Sequence, residues 1–363
     1  MHKVKLTLII LILGTSLHGL PRFSALEGVD CATCHVNPAG GGVRTGYGSD
    51  YINESLTAYN GIPSLGDLKL SGIIPEGLLV GGDLRIQSIR SDELRSFPMQ
   101  AVAYGGWEGG NLKAVAELEY RQDEVQFGYT TTWSGLPGDS WISASRQIPA
   151  FGLRLDDHTS FVRGGNLSTL AMPLEGMPFD PLGDRPHGVS IGTYALAGFS
   201  FQAGTGTAFM TNAVNADSYW FVRGDNAGYV GPLSYTVSLN YLEESDLSLS
   251  EIDILGQWSR LAYLGAFSRS ENWTGAGISS LAVHHEGNYR LIQGVDLVLR
   301  YEFFDPDIDL SNGSIQRWSA GVDLYPVTGI ELKVLYRQHT LENVSAYNPD
   351  KDPQLLVQLH LYY

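Results

Sequence analysis

The chain has 363 residues, with 39 acidic against 23 basic side chains for a formal net charge of -16, and it combines 43 Gly and 19 Tyr with 2 Cys. That balance excludes a nucleic-acid binder, which would carry a basic face, and the composition does not suit an ordinary helical enzyme. The length admits two globular domains, yet closed β-barrels run this long as a single unit.

At the N-terminus His2, Lys3 and Lys5 precede the apolar run Leu6 to Leu13. The run is too short to cross a bilayer and reads as the core of a secretory signal. Residues 1–25 are therefore expected to be a signal peptide, cleaved somewhere between Ser16 and Ala25. No later stretch has the length and apolar continuity of a membrane helix, so any membrane must be crossed by strands.

Cys31-Ala32-Thr33-Cys34-His35 then uses both cysteines. In a C-x-x-C-H run the two thiols add across the vinyl groups of a haem, and the adjacent imidazole ligates the iron from one face. A disulfide between Cys31 and Cys34 or a zinc knuckle are the alternatives, but neither gives His35 a reason to follow directly. One covalent haem c is expected on Cys31 and Cys34, with His35 as proximal axial ligand and its other ring nitrogen donating to a carbonyl or carboxylate.

Residues 26–75 form the expected monohaem segment, which is too short for a conventional independent core and needs a staple or a host. Pro38 to Tyr59 is expected to wrap the haem, with Gly40, Gly41 and Gly42 allowing close backbone approach. A loose linker is the plainer reading of those glycines. Between His35 and Met99 there is neither His nor Met, so a second axial ligand must come from farther along the chain, unless the iron stays five-coordinate or binds water.

From residue 76 to 363 apolar and polar residues alternate in short stretches, the period of strands with one face in lipid and the other in a polar lumen. Leu78, Val80, Leu84 and Ile86 oppose Asp83, Arg85 and Gln87; Leu112, Ala114, Ala116, Leu118 and Tyr120 oppose Lys113, Glu117, Glu119 and Arg121. Val295 to Phe303 and Ile330 to Tyr336 repeat the pattern. Sixteen strands are predicted, at about 77–88, 98–108, 111–121, 124–133, 139–148, 187–195, 198–208, 217–225, 231–242, 248–258, 260–269, 277–288, 294–304, 314–325, 329–339 and 354–363. The expected fold class is all-β, a closed antiparallel transmembrane barrel. Connections after even-numbered strands are mostly short, whereas those after odd-numbered strands include long polar ones, as periplasmic turns and extracellular loops do. Trp107, Trp133, Trp141, Trp258 and Trp318 are expected in two interfacial girdles.

The longest connection, 149–186, is expected to enter the lumen or lie on the outer surface, since Arg154, Asp156, Asp157 and Arg163 are costly in lipid. It carries His158, the candidate distal haem ligand, and Met172 and Met177 as the next candidates. A turn cap beside Asp156 and Asp157 is the competing reading of His158. His284 and His285 are adjacent and point to opposite faces of a strand, and His360 is expected in the lumen. Asp305, Asp307 and Asp309 read as a solvated acidic loop, because the rest of a calcium loop is missing.

The last strand places Leu355, Val357, Leu359, Leu361 and Tyr363 on one face and ends on an aromatic residue, which resembles the terminal strand of outer-membrane porins. Together with the signal, the CATCH run and the strand count, the chain resembles the fused monohaem cytochrome-porins, in which a short c-type haem segment is joined to a barrel. The run HVNPAGGGVRTGYG departs from the iron-oxidising branch of that family. The resemblance implies an outer-membrane electron carrier, rather than a catalyst with a defined substrate, whose haem segment lies on the periplasmic side or in the lumen. Lipid, periplasmic electron-transfer proteins and an extracellular metal or redox partner are the partners it implies, and the acidic total would steer cations towards the mouth. A diffusion porin with a structural or sensory haem is the alternative, and a soluble β-rich haem protein is the third reading.

Overall fold

The computed structural model describes residues 35, 44, 46–51, 55–59, 77–90, 93–121, 124–153, 155, 157, 159–164, 176–177, 185–196, 198–210, 218–272, 277–311, 313–341 and 353–362. The expected signal peptide, Cys31, Cys34, Gly40 to Gly42, Arg154, Asp156, His158 and Met172 lie outside the described residues.

A short helix, Gly46–Tyr51, precedes sixteen strands: β1 Leu78–Arg90, β2 Leu94–Gly109, β3 Leu112–Arg121, β4 Glu124–Leu136, β5 Ser140–Arg146, β6 His187–Leu196, β7 Phe199–Thr207 and β8 Ser218–Val230 in the first half. The second half comprises β9 Leu233–Glu244, β10 Leu247–Trp258, β11 Leu261–Glu271, β12 Ser279–Ile292, β13 Val295–Asp305, β14 Ile315–Leu324, β15 Ile330–Leu341 and β16 Gln354–Tyr362. Every strand is antiparallel to its neighbours in sequence, and β1 pairs with β16 to close the ring. Closure removes the exposed edges that an open sheet of this size would carry.

The alternation read from the sequence is the alternation of the wall. Val80, Leu118, Val125, Ile191, Leu239 and Leu299 are exposed on the outside, whereas Gln87, Glu119, Ser238, Glu302 and Arg337 are buried on the inside. A continuous outer apolar surface is far larger than a soluble monomer shows and suits hydrocarbon. Aromatic residues gather towards the two rims of this surface, with Trp107, Trp133 and Trp258 near the short turns and Trp220 and Trp318 towards the long loops.

Trp141 departs from the expected girdle: it is 5% exposed and faces inward. Parity is the reason, because Ile142 takes the outer position next to it and Gly192, its partner on β6, leaves the inner space that the indole fills. The largest boundary differences also have local causes. β2 begins at Leu94, four residues before the predicted start, because a bulge opposite Arg85 and Ile86 absorbs Pro98 and Met99. β8 continues to Val230, through a Gly-containing stretch whose alternation is too weak to read.

Candidate functional site

The lumen is the candidate site, and two parts of the chain enter it. The first is the connection after β5. Gly152 has φ of +64°, and a Cβ there would collide with the Glu251 carboxylate of β10, so only glycine lets the backbone approach that wall. Its amide donates to Asn240 Oδ1 at 3.1 Å, and Leu153 N donates to Glu251 Oε1 at 2.6 Å. Farther on, the Asp157 carboxylate accepts from Thr159 N and Thr159 Oγ1 and is ion-paired with Arg300 on β13 and Arg337 on β15. Arg317 on β14 donates to Thr159 O at 2.6 Å and lies 4.2 Å from the ring centroid of Phe161. Ser160 Oγ donates to Glu302 Oε1 at 2.6 Å.

Each guanidinium has a carboxylate: Arg300 donates to Glu286 at 2.7 Å as well as to Asp157, and Arg317 to Glu302 at 2.8 Å. Such pairing is what makes buried charge tolerable. Burial pushes the Asp157 carboxyl up, but Arg337, Arg300 and Arg317 outweigh it and hold the group well below the ordinary carboxylate range. Beside the network Phe151, Leu153, Phe161, Val162 and Met177 pack on inward apolar residues such as Leu249 and Phe304. Met177, an alternative haem ligand in the sequence reading, is buried in this apolar cluster.

The second part is the segment that follows the C-x-x-C-H run. His35, half-buried, forms an antiparallel bridge with Arg44, whose guanidinium lies 4.4 Å from the centroid of the Tyr362 ring on β16. Tyr51 and Leu56 cluster with Tyr325 and Tyr362. Ala58 N donates to Tyr325 O at 2.8 Å, Tyr59 N to Pro326 O at 3.2 Å, and Gln293 Nε2 to Thr57 O at 2.8 Å. These contacts fasten the segment to the short-turn end of β12 to β16, opposite in height to the long-loop end.

The inner face also carries apolar residues beside buried side-chain amides. Ile89, Val298, Leu335 and Leu356 form one inward cluster, while Gln87 and Gln358 are buried with no hydrogen-bond partner at either side-chain amide atom. The donor set of Cys31, Cys34 and His35 is, by its chemistry, the one a haem c uses. Among the described residues no group of three or more His, Cys, Asp or Glu side chains could hold a metal ion. His360, inward as expected, is engaged by Glu331 at 2.8 Å and Asp83 at 3.1 Å, whereas His285 faces outward against Tyr263. The sequence reading did not single out Arg300, Arg317 and Arg337, although all three occupy inward parity in predicted strands.

No family model matches the chain, and no curated protein matches it. Solved structures do. An anion-selective porin from Comamonas acidovorans is similar at a TM-score of 0.55 and 15% identity, over 79% of this chain and 98% of that one. OprB of Pseudomonas putida is similar at 0.55 and 8%, over 85% of this chain and 100% of that one. The channel DcaP of Acinetobacter baumannii is similar at 0.51 and 12%, over 80% and 99%. The chain therefore has the closed sixteen-stranded fold of outer-membrane porins.

Proposed function

We propose that the protein is an outer-membrane electron carrier with one covalent haem c on Cys31 and Cys34 and His35 as proximal ligand. The observation that carries the reading is the C-x-x-C-H run, whose following segment is fastened at Arg44, Tyr51 and Leu56 to one end of the lumen. With short turns towards the periplasm, that end is periplasmic. Haem supplies a one-electron couple inside a hydrocarbon layer of about 30 Å that otherwise offers no redox centre. The wall residues separate the interior from lipid, and the Asp157 network holds the connection that bears His158, the candidate distal ligand, inside the barrel. Periplasmic electron-transfer proteins and an extracellular metal or redox partner are the partners this reading implies.

The porin fold favours a second reading, a diffusion porin with a structural or sensory haem. Burial of the inward side chains, including Arg300, Arg317 and Arg337, opposes a wide water-filled passage. Purified protein in vesicles separates the two. Reduction of a trapped dye by an external reductant, lost in Cys31→Ser and Cys34→Ser variants that still assemble, supports the carrier. Solute-driven vesicle swelling without dye reduction supports the porin.

A further inference from the structure

The wall of β8, β9 and β10 grips two residues of the lumenal connection by their backbone. Gly152 N and Leu153 N donate to Asn240 Oδ1 and Glu251 Oε1, while Gly152 O accepts from Arg223 Nη1 at 3.0 Å and Leu153 O from Arg163 Nε at 2.5 Å. All four backbone polar groups are engaged, and Gly152 lies so close to the Glu251 carboxylate that a Cβ has no room.

Glu251 and Asp253 stand two residues apart on β10, so both point into the lumen, where they are 2% and 0% exposed. Their side chains are within hydrogen-bond reach of each other. One oxygen of each is committed, Glu251 Oε1 to Leu153 N at 2.6 Å and Asp253 Oδ2 to Asn240 Nδ2 at 2.9 Å. The other two, Glu251 Oε2 and Asp253 Oδ1, are buried with no hydrogen-bond partner. Two ionised carboxylates side by side away from water repel each other, and a single proton between the free oxygens removes the repulsion and gives each a partner.

The charged surroundings agree. From β8 Arg223 faces the pair, with Nε on Asp225 and Nη2 on Ser238, and Arg163 faces it from the connection. β9 contributes the neutral Asn240 and Ser238, and β11 sets Ser268 beside Glu251 and Ala266 beside Asp253. Beyond Ala266 the row reaches His284 on β12, which is turned to Ser160 and Glu302. Among the described residues Arg163 and Arg223 thus meet three carboxylates, those of Asp225, Glu251 and Asp253, and one proton balances the third.

We propose that Glu251 and Asp253 share one proton between Oε2 and Oδ1 and that this proton latches Gly152 and Leu153 to β10. The latch serves the barrel whether it passes electrons or solutes. When the connection lifts away, water reaches the pair, both acids ionise as ordinary carboxylates do above about pH 4, and the proton leaves to solvent. Opening therefore releases one proton, so its equilibrium constant grows about tenfold per pH unit until the pair ionises in place. Acid favours this latch, the opposite sense to the ion pairs of Asp157.

The test uses the full-length protein in detergent, with amide hydrogen exchange of the connection and infrared absorption as readouts. Protection of Gly152 and Leu153, corrected for the intrinsic pH dependence of exchange, is expected to fall about tenfold per unit between about pH 5 and 7. A protonated carboxylic C=O band is expected over the same range. Glu251→Gln keeps an acceptor for Leu153 N and donates to Asp253 from its amide nitrogen, so it should hold the connection, flatten the pH dependence and abolish the band. Asp253→Asn should do the same from the other side, and it decides if Glu251→Gln does not assemble. Glu251→Ala offers Leu153 no acceptor and should lose about tenfold or more in protection at every pH. Protection that is independent of pH in the unaltered protein, or a band that survives in both amide variants, overturns the shared proton. Amide variants that lose protection as Glu251→Ala does also overturn it, since they point to two ionised carboxylates held by Arg163 and Arg223.

Discussion

Asp157 is ion-paired with Arg337, which lies 180 residues later in the chain, inside a ring of sixteen strands. The contact joins the connection after β5 to the opposite wall and turns a surface loop into part of the lumen. Removing the carboxylate leaves Arg337 and Arg300 buried without their shared partner. Asp157→Ala should destabilise the barrel by about 3–5 kcal/mol. The heat-modified band on gels should appear at a lower temperature, and conductance in planar bilayers should increase as the connection leaves the lumen.

The same pair fixes an acid limit. Because the Asp157 carboxyl lies well below its ordinary value in the folded barrel, its contribution is complete above the unfolded value near 4 and is lost as pH falls through the lowered folded value. Conductance should stay low at pH 5 and rise only in strongly acid buffer. Asp157→Asn should abolish that acid transition. An opening midpoint between pH 5 and 7 in the unaltered protein would refute the assignment.

The described tryptophans divide into two populations. Trp107, Trp133, Trp220, Trp258 and Trp318 face outward and should be quenched by brominated lipid, whereas Trp141, packed inside over Gly192, should not. A chain retaining Trp141 alone should therefore show fluorescence insensitive to bromine at any acyl depth. Trp141→Ala should cost about 3–5 kcal/mol through the cavity it leaves.

His158 is the sharpest point of the haem reading. If it is the distal ligand, His158→Ala converts a low-spin spectrum to high-spin, and imidazole in the buffer restores the low-spin bands. An unchanged low-spin spectrum removes His158 from the axial position and turns attention to other ligands. Thermal stability should change far less than in Asp157→Ala, since the neighbouring anchors at Asp157 and Thr159 remain.

Most of the wall was legible in the sequence, because a strand's two-residue period is a local property and lipid enforces it over long stretches. Leu112 to Arg121 and Val295 to Phe303 display it without help from any other part of the chain. The reading weakened where local signals conflict: at Pro98, where a bulge keeps a proline inside a strand, and at Trp141, where the parity set by Ile142 overrides the preference of indole for an interface. The candidate site was legible only in part, since C-x-x-C-H names a chemistry by adjacency, whereas its surroundings are assembled from distant strands.

Strand number, the inward and outward rows, and the residues able to tether a haem follow from spacing along the chain alone, since each depends on neighbours two to four positions apart. Which inward residues meet was decided by closure of the ring. Closure and register bring Val298, Leu335, Leu356 and Ile89 into one level and Asp157 between Arg300 and Arg337. No local pattern specifies those meetings, because they depend on the loop entering the lumen and on how each strand is staggered against the next.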